Sequence, residues 1–377
     1  MRLSSIASQF LPGLVLPVLA VFAGAALAAQ PAAAETPTKV SGPFVHENLS
    51  VYFVHGPSAS GAVPLTLQEA MTKKTVRVIE TGSVNELQIE NTGTEDVFIQ
   101  SGDIVKGGKQ DRVLTVSLVL PPKSGKVGIA SFCVEQGRWT ARGQENVAQF
   151  ASSYDAMPSR EAKLAMKAPI AKPAAEAPGA SGVLNSNAQR TRTVAGDETS
   201  VRQRGVWDEV AKVQNKLAGN LGGSVAAAQS ATSLQLSLEN EALKTKRAAY
   251  ITALEGKATA APDVIGYVFA VNGKVNSADV YPSNALFNKM WGKLLGASVT
   301  EAIGDDKRRQ GAAPAAPVNS PAVADVEAFL KSAEAGKADE KKIAALMVQE
   351  TRDADKSLYV EAKRADGRWV HRNYLAK

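Results

Sequence analysis

The stretch Ile265-Gly266-Tyr267-Val268-Phe269-Ala270-Val271-Asn272-Gly273-Lys274-Val275-Asn276 decides the fold of this 377-residue chain. Asn272-Gly273 accepts the positive φ angles of a two-residue turn, and β-branched and aromatic residues crowd the arm before it. The two arms are therefore expected to be adjacent antiparallel strands. Downstream, Phe287, Met290, Trp291, Leu294 and Leu295 recur at helical spacing, so Ser283 to about Ile303 is expected to be an amphipathic helix with an aromatic core face. Upstream, Val206, Val210, Val213 and Leu217 form another apolar helix stripe that Gly219 can terminate, and a further helix is expected from about Leu238 to Leu254.

Farther towards the N-terminus the period changes from helix to strand. Val51–Val54, Thr75–Ile79, Glu86–Glu90, Asp96–Gln100, Arg112–Leu120 and Gly128–Glu135 are short runs bounded by Gly, Asn, Pro and Ser. In Asn85-Glu86-Leu87-Gln88-Ile89-Glu90 the alternation points Leu87 and Ile89 inward. One helix interrupts the series from Leu67 to about Lys73, announced by the capping box Thr66-Leu67-Gln68-Glu69. The expected class is α+β: a mainly antiparallel sheet or sandwich in the N-terminal half, covered by helices and the later hairpin.

Between these regions, Gln144–Tyr154 and Ser159–Met166 have helix-forming composition. From Ala168 to about Glu198 an Ala/Pro/Gly-rich tract opens what reads as a flexible insertion with too little apolar surface to offset chain entropy. A second linker covers 305–319. Ser320-Pro321 then reads as an N-cap and first-turn proline for a helix bearing Val323, Val326, Phe329 and Leu330. Leu358–Ala362 and Arg368–Tyr374 flank Asp366-Gly367 as a closing hairpin, so 320–377 reads as a C-terminal extension.

The N-terminus carries an address. Arg2, an apolar run from Phe10 to Ala29 and the small-residue patterns Ala26-Leu27-Ala28 and Ala32-Ala33-Ala34 read as a secretory signal peptide over 1–28, with cleavage possible up to 34. The expected location is secreted or periplasmic, with membrane contact only transient, through the signal. The net charge of +6 comes from 43 basic and 37 acidic residues. That excess is scattered and forms no dense basic stripe, so a nucleic-acid partner is not expected. One cysteine and three histidines exclude an intramolecular disulfide and a multi-cysteine metal site, and no metal or cofactor is expected. The oligomeric state is not readable from these features.

Two segments are dense in polar residues. In Ser101-Gly102-Asp103-Ile104-Val105-Lys106-Gly107-Gly108-Lys109-Gln110-Asp111-Arg112 the spacing fails that of a phosphate-binding P-loop: an extra glycine precedes Lys109, and Gln110 stands where a hydroxyl would hold magnesium. The glycines still permit close backbone approach to a ligand, and Lys109 and Arg112 supply positive charge. A tight turn with solvated lysines is the competing reading. In Ser131-Phe132-Cys133-Val134-Glu135-Gln136-Gly137-Arg138-Trp139, Ser131, Cys133 and Glu135 share one strand face. Cys133 is either a nucleophile beside Glu135 or a small buried residue, and Arg138 either binds or pairs with Glu135 to hold the strand end. Asp103, Lys109, Gln110, Arg112, Glu135, Arg138 and Trp139 are expected to converge as one pocket for a small anionic ligand. Lys109 and Arg112 would bind the anion, Gln110 orient it, Trp139 stack, and Glu135 accept or donate a proton. A hydrolase using Glu135 or Cys133 and a protein-interaction module are the alternatives.

These same two segments resemble the paired signature of the ARG and Rhodanese-Phosphatase-superfamily-associated protein domain family, a domain of unknown function. Pro64–Ala70, Val84–Leu87, Gln203–Trp207 and the block from Gly266 through Leu295 add to the resemblance, which spans roughly 47–304 outside the insertion. Its association with ADP-ribosylglycohydrolases and rhodanese-phosphatases implies ADP-ribose or nucleotide chemistry by association only.

Overall fold

At Asn272 and Gly273 the backbone turns through φ angles of 51° and 76°, and the flanking arms pair as antiparallel strands, with Val271 opposite Lys274. The computed structural model describes residues 39–138, 140–142, 147, 150–153, 157–167, 187–307, 319–344 and 346–377, with backbone only at 187–197 and 259–260. The signal segment 1–28, Trp139 and most of both linkers lie outside the described residues.

In chain order the elements begin with β1 (Lys39–His46), β2 (Leu49–His55), β3 (Leu65–Thr66), α1 (Leu67–Thr72), β4 (Val76–Glu80), β5 (Glu86–Asn91), β6 (Val97–Ile99), β7 (Ile104–Gly107), β8 (Arg112–Leu114), β9 (Leu118–Leu120), β10 (Gly125–Cys133) and β11 (Phe150–Ser152). The helical part follows as α2 (Arg160–Lys167), α3 (Asn187–Leu221), α4 (Leu234–Leu238) and α5 (Glu241–Leu254). Then come β12 (Val264–Val271), β13 (Lys274–Val280), α6 (Asn284–Gly304), α7 (Val323–Glu334), β14 (Lys337–Ile343), β15 (Met347–Ala354), β16 (Ser357–Arg364) and β17 (Trp369–Ala376).

The strands form three sheets: β1-β2-β12-β13-β17-β16-β15-β14, β11-β7-β8-β10-β5-β4, and β3-β6-β9. All described pairings are antiparallel except β3 with β6. The fold is thus α+β. Every residue of β12 is buried because its sheet is covered on both faces, which removes the usual alternation. On one face, Phe53 and Tyr267 meet Trp291 of α6 edge-on at 5.4 and 5.6 Å between ring centroids. On the other, Tyr52, Val54 and Val268 pack with Val326 and Leu330 of α7. Each large apolar side chain buried this way contributes roughly 1.5–3 kcal/mol. The α6 side runs without a break into the core beneath the other two sheets.

The local signals are largely present. The Thr66 hydroxyl accepts from Glu69 N while Glu69 accepts from Thr66 N, closing the capping box. Leu87 and Ile89 are fully buried. Several expectations are corrected. Phe150–Ser152, expected in a helix, pairs with β7 as an edge strand, since tertiary pairing overrides composition there. Helix α3 begins at Asn187, inside the stretch expected to be a flexible insertion, because extending a nucleated helix costs far less than starting one. It ends at Leu221 with Gly222 at φ 72°, one turn beyond Gly219. Ser320 does not cap α7, whose N-cap is Ala322; its hydroxyl bonds Ser50 at 2.7 Å. The hairpin β14–β15 is unannounced because its first strand is almost entirely charged and exposed. Residues 320–377 are built into the main sheet through β17, which pairs with β13.

Candidate functional site

The two polar segments meet where β8 pairs with β10, with Arg112 directly opposite Cys133. Equal strand faces bring their side chains together. The Arg112 guanidinium, with no exposure, donates to Gln110 Oε1 at 3.0 Å and to the Cys133 sulfur, and lies 3.5 Å from Glu80. Behind them, Asp111 and Glu135 hold two further arginines. Arg138 donates from Nε to Glu135 at 2.7 Å and to the carbonyls of Gly107 and Gly108. Arg142 grips Asp111 with both terminal nitrogens at 2.9 and 3.1 Å. Asp111 also accepts from Gly107 N and from Ser233, the N-cap of α4. Gly108 is required here: at φ +56° any Cβ would sit 2.2 Å from the Phe150 ring.

Arg138, Arg142, Asp111 and Glu135 therefore share one buried network, while beside it Arg112 Nε and Nη2 and both Glu80 oxygens are buried without hydrogen-bond partners. Burial works to raise Glu135, but Arg138, Ser230 and the Asp111 amide outweigh it and hold its carboxyl below the usual range. It stays ionised and engaged, which suits a strand clamp better than proton transfer. Burial pushes the Cys133 thiol up to about 11 against the pull of Arg112, so the thiolate needed for attack is scarce at neutral pH. Gln203 of α3 closes over Cys133, bonding its backbone N and O at 2.9 Å each.

The other expected site residues divide. Lys109 is half-buried, with no ion pair or hydrogen bond from its ammonium among the described residues. Asp103 leaves the network altogether, pairing with Lys293 of α6 at 2.5 Å beside a small pocket lined by Thr66, Gln68 and Lys289. Trp139 lies outside the described residues. Gln110, Arg112, Cys133, Glu135 and Arg138 are thus neighbours, while Asp103 belongs to another part of the core.

That other part is a second polar centre, built where the 100–103 turn meets β13, β17 and α2. Gln100 accepts from Tyr281 at 2.6 Å and donates to Asp279 at 3.3 Å. His371 Nε2 lies 3.0 Å from Asp279 Oδ1, and its Nδ1 2.9 Å from the Ser117 hydroxyl. Asn373 adds a third bond to Asp279 at 2.9 Å. Burial raises Asp279, but His371, Lys163 and Asn373 more than offset it and keep it ionised. Burial together with Lys167 and Lys163 outweighs Asp279 and lowers His371, leaving a neutral ring at pH 7 that donates from Nε2 and accepts from Ser117.

Lys163 and Lys167 stand one helical turn apart on α2, and neither ammonium makes an ion pair or hydrogen bond among the described residues. Lys163 is 5% exposed and its chain passes beside Gly102, whose φ of +103° leaves no room for a Cβ next to Met157. Burial, and the like charge of Lys163, push Lys167 down to about 7. The buried Asp279 Oδ2 and Asn276 Oδ1 also lack hydrogen-bond partners. Sequence reading did not find this centre. Its signals were an i,i+4 lysine pair on α2 and Asp279 on a strand that is buried despite its polar residues, both legible only once their strands and helix are placed.

Among the described residues no cluster of three or more His, Cys, Asp or Glu is placed to hold a metal, and no helix is long and apolar enough to cross a membrane. Residues 37–375 match the family described as ARG and Rhodanese-Phosphatase-superfamily-associated Protein domain. The match includes the strands contributed by residues 337–375. No curated protein and no solved structure matches the chain.

Proposed function

The chain belongs to this family of domains, and from that premise we propose that it is an exported binding protein for a small anionic ligand, held at Lys163 and Lys167. One observation carries the reading: Lys163 is buried and Lys167 half-buried beside it on α2, and among the described residues no carboxylate forms an ion pair with either ammonium. Buried charge is normally paired, and here the nearby anion, Asp279, is already bonded to His371, Asn373 and Gln100. An incoming phosphate or carboxylate would supply the missing counter-charge. The orphaned acceptors Asp279 Oδ2 and Asn276 Oδ1 suit hydroxyl donors, so nucleotide, ADP-ribose and sugar-phosphate chemistry all fit. Binding is favoured over hydrolysis at Glu135 or Cys133, because the first is held by arginines and the second is buried as a thiol. Export rests on the leader sequence, which N-terminal sequencing of the exported protein tests.

The ligand test is calorimetric titration of the full chain with inorganic phosphate, ADP-ribose and a sugar phosphate. At least one is expected to bind, with affinity lost in Lys163→Met and Lys167→Met. The pH dependence has a fixed sign. An anion favours charged Lys167, so affinity is greatest below pH 7 and falls as pH rises through about 7. No binding by any probe, or binding that survives both substitutions, overturns the proposal.

A further inference from the structure

An open cleft lies among α2, α3, α4 and α6. Lys163 and Lys167 project from α2 on the side opposite Glu161, two residues along being more than half a turn. The cleft floor and walls are apolar: Val213, Leu234, Leu238 and Ala297, with Met157 at one end. Three carboxylates, Glu161, Glu301 and Asp305, reach this apolar surface. Sites for small organic molecules combine apolar walls with a few fixed polar groups.

The charges around the cleft do not cancel. Lys216 is committed to Asp305 at 2.8 Å, and Arg160 to Glu161 at 2.6 Å. Glu301 receives only neutral donors, Arg160 N at 3.0 Å and Asn276 Nδ2 at 2.9 Å. Lys163 and Arg160 act on Glu301 only from beyond ion-pair distance, so among the described residues no cation touches this amide-bonded carboxylate, a place that a ligand's ammonium can take. We propose that this cleft binds a small organic cation, a protonated amine bearing a short alkyl chain, with the ammonium against Glu301 and the chain along Leu234 and Leu238. Quaternary and primary amines share the required charge. The alkyl chain distinguishes them from a bare metal ion, for which no described cluster is placed.

The protonation state of Glu301 supports the assignment. Desolvation and the Glu161 charge push its carboxyl up to about 7, against the opposing pull of Lys163 and Arg160. A cation favours the ionised form, so amine binding strengthens as pH rises through about 7 and releases a proton. This slope is opposite to that expected for an anion at Lys167, which lets the two sites fail separately.

The test is calorimetric titration of the full chain with pentylamine, using pentanol and pentanoate as uncharged and oppositely charged controls. Pentylamine is expected to bind with a dissociation constant of about 1 mM or tighter, and at least about tenfold more tightly than either control. Glu301→Gln is expected to reduce affinity about tenfold and to abolish proton release near pH 7. Val213→Trp, at a half-buried position on α3, fills the cleft and tests it without touching the carboxylates. No amine binding overturns the proposal. So does equal binding of pentanol, or binding unchanged by both substitutions.

Discussion

The two polar centres use the same chemical ingredients and reach opposite balances. In the arginine cluster, Arg112, Arg138 and Arg142 face Glu80, Asp111 and Glu135, and Asp111 and Glu135 also accept from backbone amides. At the lysine pair, Lys163 and Lys167 face Asp279, which spends its bonds on neutral partners and His371. Planar guanidinium groups hold several oxygens at once and stay charged on burial, whereas an isolated buried ammonium lowers its pKa instead. The paired centre holds β8, β10 and α4 together. On the proposed reading, the unpaired one has charge to offer a ligand.

This contrast can be broken most decisively by Asp111→Ala. Removing a carboxylate that bonds Arg142, Gly107 N and Ser233 leaves buried positive charge, and a loss of about 3–5 kcal/mol is expected in urea unfolding. A loss below about 1 kcal/mol would show that the network is not a clamp. A smaller effect is expected at Cys133, where removing a small buried group costs about 1–2 kcal/mol in Cys133→Ala. In the folded protein the thiol should resist iodoacetamide at pH 8 and react fully only in denaturant, because its pKa lies near 11. Rapid labelling of the native state would reopen the nucleophile reading. The smallest change in stability belongs to Lys163→Met, expected within about 1 kcal/mol of the parent or above it, since it deletes an unpaired charge from the interior. A loss as large as that of Asp111→Ala would mean that Lys163 is structural, and would erase the difference between the centres.

Local signals were legible wherever a residue's role depends on its sequence neighbours. The Asn272-Gly273 turn, the Thr66 to Glu69 cap, the Leu87/Ile89 alternation and the α6 core stripe follow from backbone angles and periodicity. The two polar segments meet in the structure, since Arg112 and Cys133 lie on paired strands. Asp103 was misplaced because it sits past a turn whose direction its sequence does not reveal, and it joins Lys293, 190 residues away. The charged strand β14 was invisible because its burial pattern carries no alternation. Its order comes from backbone pairing with β15.

By itself the sequence determined an α+β domain with identifiable turns and caps, and a resemblance that the family match bears out. Those properties are set by period, by turn chemistry and by side chains within a strand or two of each other. Only the tertiary structure decided which charges are compensated. Ser117, Lys163, Asp279, Glu301 and His371 are drawn from five separate stretches of chain, and whether each meets a partner, a like charge or an apolar wall depends on long-range packing. Desolvation and Coulomb interaction act through space, so the balance that separates a clamp from a binding site is fixed after the chain has folded.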